Sequence, residues 1–259
     1  MSHKCHSLLL DRKGRPNAQV ATLSYDFDHA HVIPEHSHPE DQLVFASKGV
    51  MTVRTRDGIW VVPPLRAVWI PAHTMHTIAM SGSVSMRTLY FLPRLARTPH
   101  KKCFVMNVSP LLKELILHAC KFPLLNRKVS TEGRILALLM DRLEAANSSP
   151  LQLPHPTDAR AVRVVQALLD DPGAQRTLNV LCKECGASKR TVQRLWIAET
   201  KMTFAKWRQQ LRLLHALQLL ASGENVTGAA LGSGYNSTSA FICMFRKQLG
   251  STPLRYFAA

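Results

Sequence analysis

The chain is poor in three things, and each shortage excludes a class of protein. Its six cysteines are scattered along 259 residues, too dispersed for the disulfide framework of a small secreted domain, so a reducing cytoplasm is the expected compartment. It has no long apolar run. Stretches such as ILALLM fall far short of the roughly 20 residues that span a bilayer. Its first residues, MSHKCHSLLLDRKGR, hold three leucines where a secretory signal needs a longer apolar core. Acidic residues are also few: 17 against 33 lysines and arginines, for a formal charge of +16 and a pI near 10.1. Such an excess calls for a polyanionic partner, either nucleic acid or an acidic membrane surface.

What the chain does have is enough length for two domains, with a hydrophobic content of 46% and a mean hydropathy of −0.05. From about Ala18 to Val108 it reads as short strands. MTVRT alternates, Asp57-Gly58 marks a hairpin turn into IWVV, and AVWIP, HTIAM, VSMRTLYF and KCFVMNV continue the rhythm. So many antiparallel strands must close into a barrel or sandwich to manage their edges. The period then changes. SPLLKELILHAC and TEGRILALLMDRLEAA carry apolar residues at helical spacing, the second through Ile135, Leu136, Leu139, Met140 and Leu143. That stripe suits either a dimer interface, placed on Gly133–Leu143, or packing onto the strands. NSSPLQLPHP has the composition of a linker. The expected layout is a strand domain over 1–108, a helical dimerisation segment over 109–146, a linker over 147–156 and a helical domain over 157–259.

The helical part holds a duplicated pattern. A helix, a turn containing glycine and a capped basic helix occur around Gly186-Ala187-Ser188 and again around Gly234-Tyr235-Asn236-Ser237. FAKWRQQLRLLHALQLLAS lies between them as one amphipathic helix, its buried stripe including Phe204, Trp207, Leu211, Leu214 and Leu217. A length near 28 Å approaches the ~34 Å between successive major grooves on one face of B-DNA. CKEC, at Cys182–Cys185, has zinc-knuckle spacing but no second pair, which makes Cys182 a small core residue. His3, Cys5 and His6 read as a frayed terminus rather than a chelate.

GYNSTSAFICMFRKQLGSTPLRYF resembles the C-terminal signature of AraC/XylS-type transcription regulators, and ASKRTVQRLWIAET resembles their first recognition helix. The resemblance implies double-stranded operator DNA as partner, a homodimer and a first domain that controls the second. It offers Ser188, Lys189, Arg190, Gln193 and Arg194 on the first helix as DNA contacts. On the second it offers Ser237, Thr238, Ser239, Cys243, Arg246 and Lys247. Family members often carry longer polar residues at the second helix's base-facing positions, and Lys201 replaces the usual glycine after the first. Likeness to one branch of the family points to a repressor beside a transporter gene, while the sequence itself does not name the sign of regulation, activator or repressor.

The strand domain is similar to the cupin sensor found on one branch of that family, so the expected fold is α+β: a cupin-like antiparallel β-barrel with following helices, then an all-α tandem helix-turn-helix domain. In HVIPEHSHPEDQLVFASKG, His36 and His38 stand at ligand positions, Gln42 replaces the glutamate and Gly49 closes the motif. WIPAHTMH resembles the second motif, with His76 at its ligand position and His73 nearby; Leu65 replaces that motif's leading glycine and Met80 its trailing asparagine. These residues either hold a divalent transition metal or line the pocket of a small-molecule effector. A cupin metalloenzyme of dioxygenase type with a helical appendage is the alternative to a non-enzymatic regulator, and the duplicated basic motif distinguishes them, since an enzyme has no need of it.

Overall fold

The computed structural model describes residues 18–28, 31–93, 95, 102–149 and 151–258. His3, Cys5 and His6 lie outside them. The chain divides into two compact units, one holding residues 1–55 and 60–151 and the other 56–59 and 152–259.

The first unit is built on β1 (Val20–Phe27), β2 (Val32–His36), β3 (Asp41–Thr55), β4 (Gly58–Val62), β5 (Arg66–Ile70), β6 (His76–Phe91) and β7 (Phe104–Asn107). α1 (Pro110–Ala119), β8 (Leu124–Leu125), α2 (Ser130–Glu144) and β9 (Ser148–Ser149) follow. The hydrogen-bonded order is β8-β1-β6-β3-β5-β7-β9, with β2 on β6 and β4 on β3. β6 is one long strand where two short ones are expected, HTIAM and VSMRTLYF, and β3 is comparably long. Their pairing shifts register between Ala46 and Val50, opposite Ser81–Met86. Gly49 sits at that bulge with φ +77, and a Cβ there would lie 2.3 Å from the Ser83 carbonyl. Gly49 and Gly82 therefore bend two continuous strands instead of ending them.

Alternation sorts these strands into two buried faces. Leu43 and Phe45 of β3, Trp69 of β5 and Leu89 and Phe91 of β6 join Leu112 and Ile116 of α1 and Leu136, Leu139 and Leu143 of α2 in one core. None of them is more than 3% exposed. The stripe on α2 is thus the floor of the strand domain and not a dimer interface: the sheet offers it a complementary apolar face within the same unit. Gln42 on β3 and Thr88 and Tyr90 on β6 have the opposite parity and face the other way, with Gln42 cross-strand from Tyr90.

The stretch expected as a linker, 147–156, is partly strand: β9 pairs with β7, and β10 (Gln152–Pro154) opens the second unit's continuous run. That unit contains α3 (Ala159–Asp170), α4 (Leu178–Glu184), α5 (Lys189–Thr200), α6 (Phe204–Ala221), α7 (Val226–Gly232), α8 (Thr238–Leu249) and α9 (Pro253–Phe257). Each of α3 to α8 begins at a Ser, Thr, Asp or Asn whose side chain accepts from a backbone N–H of the first turn. Such caps satisfy donors that the helix itself cannot, worth roughly 1 kcal/mol each. α4 and α5 form the first helix-turn-helix and α7 and α8 the second. Trp196 of α5 and Trp207 of α6, both 0% exposed, meet edge to face at 5.0 Å, and the Trp207 indole N–H donates to the Pro154 carbonyl at 2.8 Å. Phe204, expected in the buried stripe, is only half-buried, its ring meeting Trp196 edge to face at 5.1 Å. Phe241, Phe245 and Tyr256 make the corresponding centre of the second motif. Cys182 is buried in α4. Gly234, at φ +79, lets the second turn approach the loop after α3: a Cβ there would lie 2.5 Å from the Gly173 carbonyl.

Candidate nucleic-acid interface and metal centre

Burial on α5 runs through Val192, Trp196 and Thr200, which turns Arg190, Gln193, Arg194, Ile197 and Lys201 outward on one face. Arg190, Gln193 and Arg194 are exposed and make no hydrogen bond or ion pair with any described residue. Their forked and amide donors are free to meet base edges or phosphates. Lys189 is exposed at the first helical position, whereas the Ser188 hydroxyl is occupied, accepting from Thr191 N–H and donating to Thr191 Oγ1. Lys201 takes the left-handed cap conformation at φ 59, so the backbone expected of glycine is kept by a residue with a Cβ.

α8 presents a different surface. Ser239, Cys243, Arg246 and Lys247 are exposed and border one concave face with Ile242 and Thr252. Ser237 is spent on capping Ala240 N–H. Thr238 is half-buried and donates to Thr227 Oγ1 of α7 at 3.4 Å, which turns it toward the neighbouring helix. The outward side chains of α8 are therefore short ones followed by two cations, while those of α5 are long hydrogen-bonding ones.

In the first unit, His36 ends β2, His76 begins β6, and the two are cross-strand partners. His38 follows in the loop to β3. The ligand atoms of His36, His38 and His76 all lie within 4.8 Å of one another. His73 is exposed and outside this cluster. Each ring places Nδ1 2.8 Å from a backbone carbonyl: Pro34 for His36, Glu40 for His38 and Thr74 for His76. A carbonyl only accepts, so in each neutral ring Nδ1 carries the proton and Nε2 keeps its lone pair. His76 Nε2 is buried with no hydrogen-bond partner among protein atoms. Burial lowers the His76 pKa to about 4, and it lowers that of His38 too, against the Gln42 oxygen, which would accept from the protonated ring.

Gln42 completes the set. Thr88 donates its hydroxyl proton to the Leu43 carbonyl, so its oxygen must accept from the Gln42 amide nitrogen, which also donates to Tyr90 OH. That orientation leaves Gln42 Oε1 facing His38 Nε2 at 3.1 Å. Two lone-pair atoms at that distance repel unless a positive centre lies between them. Three imidazole nitrogens and one amide oxygen, all acceptors and two of the rings buried, fit a divalent transition metal. Hydrogen bonds to the remote ring nitrogens are the usual way metal-bound histidines are held. No sequence signal shows those three carbonyls; they belong to the backbone two residues away from each ring.

A paired helix-turn-helix unit beside a strand domain with an internal polar cluster defines a DNA-binding transcription regulator with a ligand-binding domain. Residues 19–190 match the AraC-like ligand binding domain, and residues 181–259 match a helix-turn-helix domain. The transcriptional regulator NimR of Escherichia coli (strain K12) is 34% identical over 225 residues, covering 87% of this chain and 82% of that one. The transcriptional activator RhaR of Klebsiella pneumoniae is 22% identical over 260 residues, covering 92% of both. Among solved structures, fatty-acid-bound ToxT from Vibrio cholerae aligns over 93% of this chain and 95% of its own, with 14% identity and a TM-score of 0.39. The chain belongs to the AraC family of transcription regulators. Among the described residues, no helix is long and apolar enough to cross a membrane.

Proposed function

We propose that α5 and α8 occupy successive major grooves of one operator, with α5 reading bases and α8 holding the backbone. The carrying observation is the unpaired, outward set Arg190, Gln193 and Arg194, set against the short Ser239 and Cys243 and the terminal cations Arg246 and Lys247. The 18 residues of α6 make a strut of about 27 Å between the two motifs. The test is binding-site selection followed by salt-dependent gel shifts against random DNA. A regulator gives a selected sequence whose affinity exceeds that of random DNA at every salt; equal affinities defeat the reading.

The small-molecule response is assigned to the first unit, at the face lined by His36, His38, Gln42 and His76. These four side chains would hold a divalent transition metal, with Thr88 and Tyr90 fixing Gln42 from behind. Bound there, the ion would supply a Lewis-acidic centre for sensing or for structure. The family assignment favours this over the metalloenzyme alternative, because the second unit has a use only on DNA. The chain is proposed to work as a homodimer in the cytoplasm. The buried stripe of α2 cannot make that contact, and the exposed Leu111 of α1 and Leu138 of α2 are the apolar side chains those helices leave for it. Repression of a neighbouring transporter gene is the proposed regulatory outcome.

A further inference from the structure

On α5, Ile197 is 54% exposed, on a helix whose other large outward side chains are polar or cationic. It lies four residues after Gln193 and three after Arg194, and Lys201 follows it by four, so all share the face turned away from Trp196. More than half of that isoleucine's surface is left uncovered within its own unit. Arg194 and Arg190 stand one and two turns before it, and Lys201 one turn after. An apolar partner protein would have to bury those cations against itself, whereas DNA welcomes all of them at its phosphates and offers one apolar group in the major groove, the thymine methyl. We infer that Ile197 packs on the 5-methyl group of a specific operator thymine and makes that position selective for T·A. The inference rests on α5 being the reading helix.

The geometry also says where the thymine lies. Three to four residues advance the helix by about 5 Å, and stacked bases rise by about 3.4 Å. The thymine therefore falls one to two base pairs from the pair specified by Gln193 or Arg194. α8 offers no such group, since Cys243 carries no methyl, the Ser239 one turn before it is short and Ile242 is half-buried. The preference should be confined to the half of the operator under α5.

The experiment uses the full chain and its selected operator, with each thymine of the α5 half replaced in turn by uracil, which removes only the methyl group. For the unaltered protein, one such replacement should weaken binding about fourfold, the worth of one buried methyl. For Ile197→Ala the same replacement should cost nothing, while all other positions keep their profile. Equal losses in both proteins at every thymine overturn the inference, as does an α5 half-site with no required thymine. Gln193→Ala and Arg194→Ala separate the two levels. If they alter the base profile and Ile197→Ala does not, only the methyl contact fails. If they leave it unchanged as well, the assignment of α5 as the reading helix fails with it. Ile197→Ala replaces an exposed residue with a better helix former, so loss of fold does not confuse the result.

Discussion

Lowering the pH should destabilise the strand domain, and His76 should account for most of the effect. In the unfolded chain its imidazole titrates near 6.5; in the folded protein burial holds the value at about 4. Its folded pKa is depressed, so the unfolded state binds more protons between those values. Stability is then complete above about pH 6.5 and falls as the pH drops toward 4. The 2.5-unit gap, at about 1.36 kcal/mol per unit, is worth roughly 3 kcal/mol. The ring is 1% exposed, so solvent screening leaves little to discount. His38 shifts in the same direction and adds to the slope. The assay is urea unfolding of the full chain in a chelator between pH 7.5 and 4.5, with the strand-domain transition followed separately from that of the helical domain. His76→Gln cannot take up the proton, and its strand-domain transition should lose most of the pH slope. Added Zn(II) or Ni(II) should raise the same transition at neutral pH and lose that effect in acid, because coordination requires the three lone pairs that protons would occupy. An identical slope in the unaltered protein and in His76→Gln refutes the reasoning.

Four further outcomes follow from the packing. Leu139→Asp with Leu143→Asp should unfold the strand domain, not merely separate subunits, at a cost above about 4 kcal/mol; loss of its cooperative transition by circular dichroism checks this, and a folded monomer contradicts it. Leu138→Asp, at an exposed position, should leave the fold intact and weaken self-association measured by sedimentation. Arg246→Ala and Lys247→Ala should each reduce the salt slope of DNA binding by about one without changing the selected sequence, whereas Gln193→Ala and Arg194→Ala should each cost about 1–3 kcal/mol at identifiable base pairs. Gln42→Glu should tighten metal retention in equilibrium dialysis, since it places a carboxylate where the amide oxygen now faces His38.

Periodicity made the helical half readable, because caps and glycines at its helix ends are local chemistry: Ser188 and Ser237 both cap where the pattern places them. The strand half was readable in composition but not in extent. Gly49 and Gly82 look like punctuation, yet each takes a positive φ within a strand that continues past it. The apolar stripe of α2 could be recognised as buried, but periodicity names a face and not its partner; only the sheet's Leu43, Phe45 and Leu89 decide that it is internal. Gln193, Arg194 and the cluster of His36, His38 and His76 were visible as residue types at telling spacings. Ile197 was not, since an isoleucine on an amphipathic helix looks like core until the burial of Trp196 fixes which side is which.

Departures from a family's residue pattern have to be judged against the backbone that carries them. Leu65 stands where the second cupin motif has glycine, and Lys201 where the first recognition helix is followed by one. Both keep a left-handed backbone, at φ 62 and φ 59. The strain, of order 1–2 kcal/mol per residue, is accepted because the chain must still turn there: the Leu65 carbonyl receives Val108 N–H at the start of the path into α1, and Lys201 N–H closes α5 on the Ile197 carbonyl. Gln42 belongs to the same class of change. Its place in the strand pair is kept, the aim of its oxygen is fixed by its amide nitrogen donating to Thr88 and Tyr90, and what has been removed is a charge. A metal held there by three neutral imidazoles and an amide would keep its full positive charge, so it would bind more weakly than beside a carboxylate and exchange more readily. That combination, preserved geometry with a reduced hold, suits a site that reports occupancy better than one that must retain its ion through a catalytic cycle.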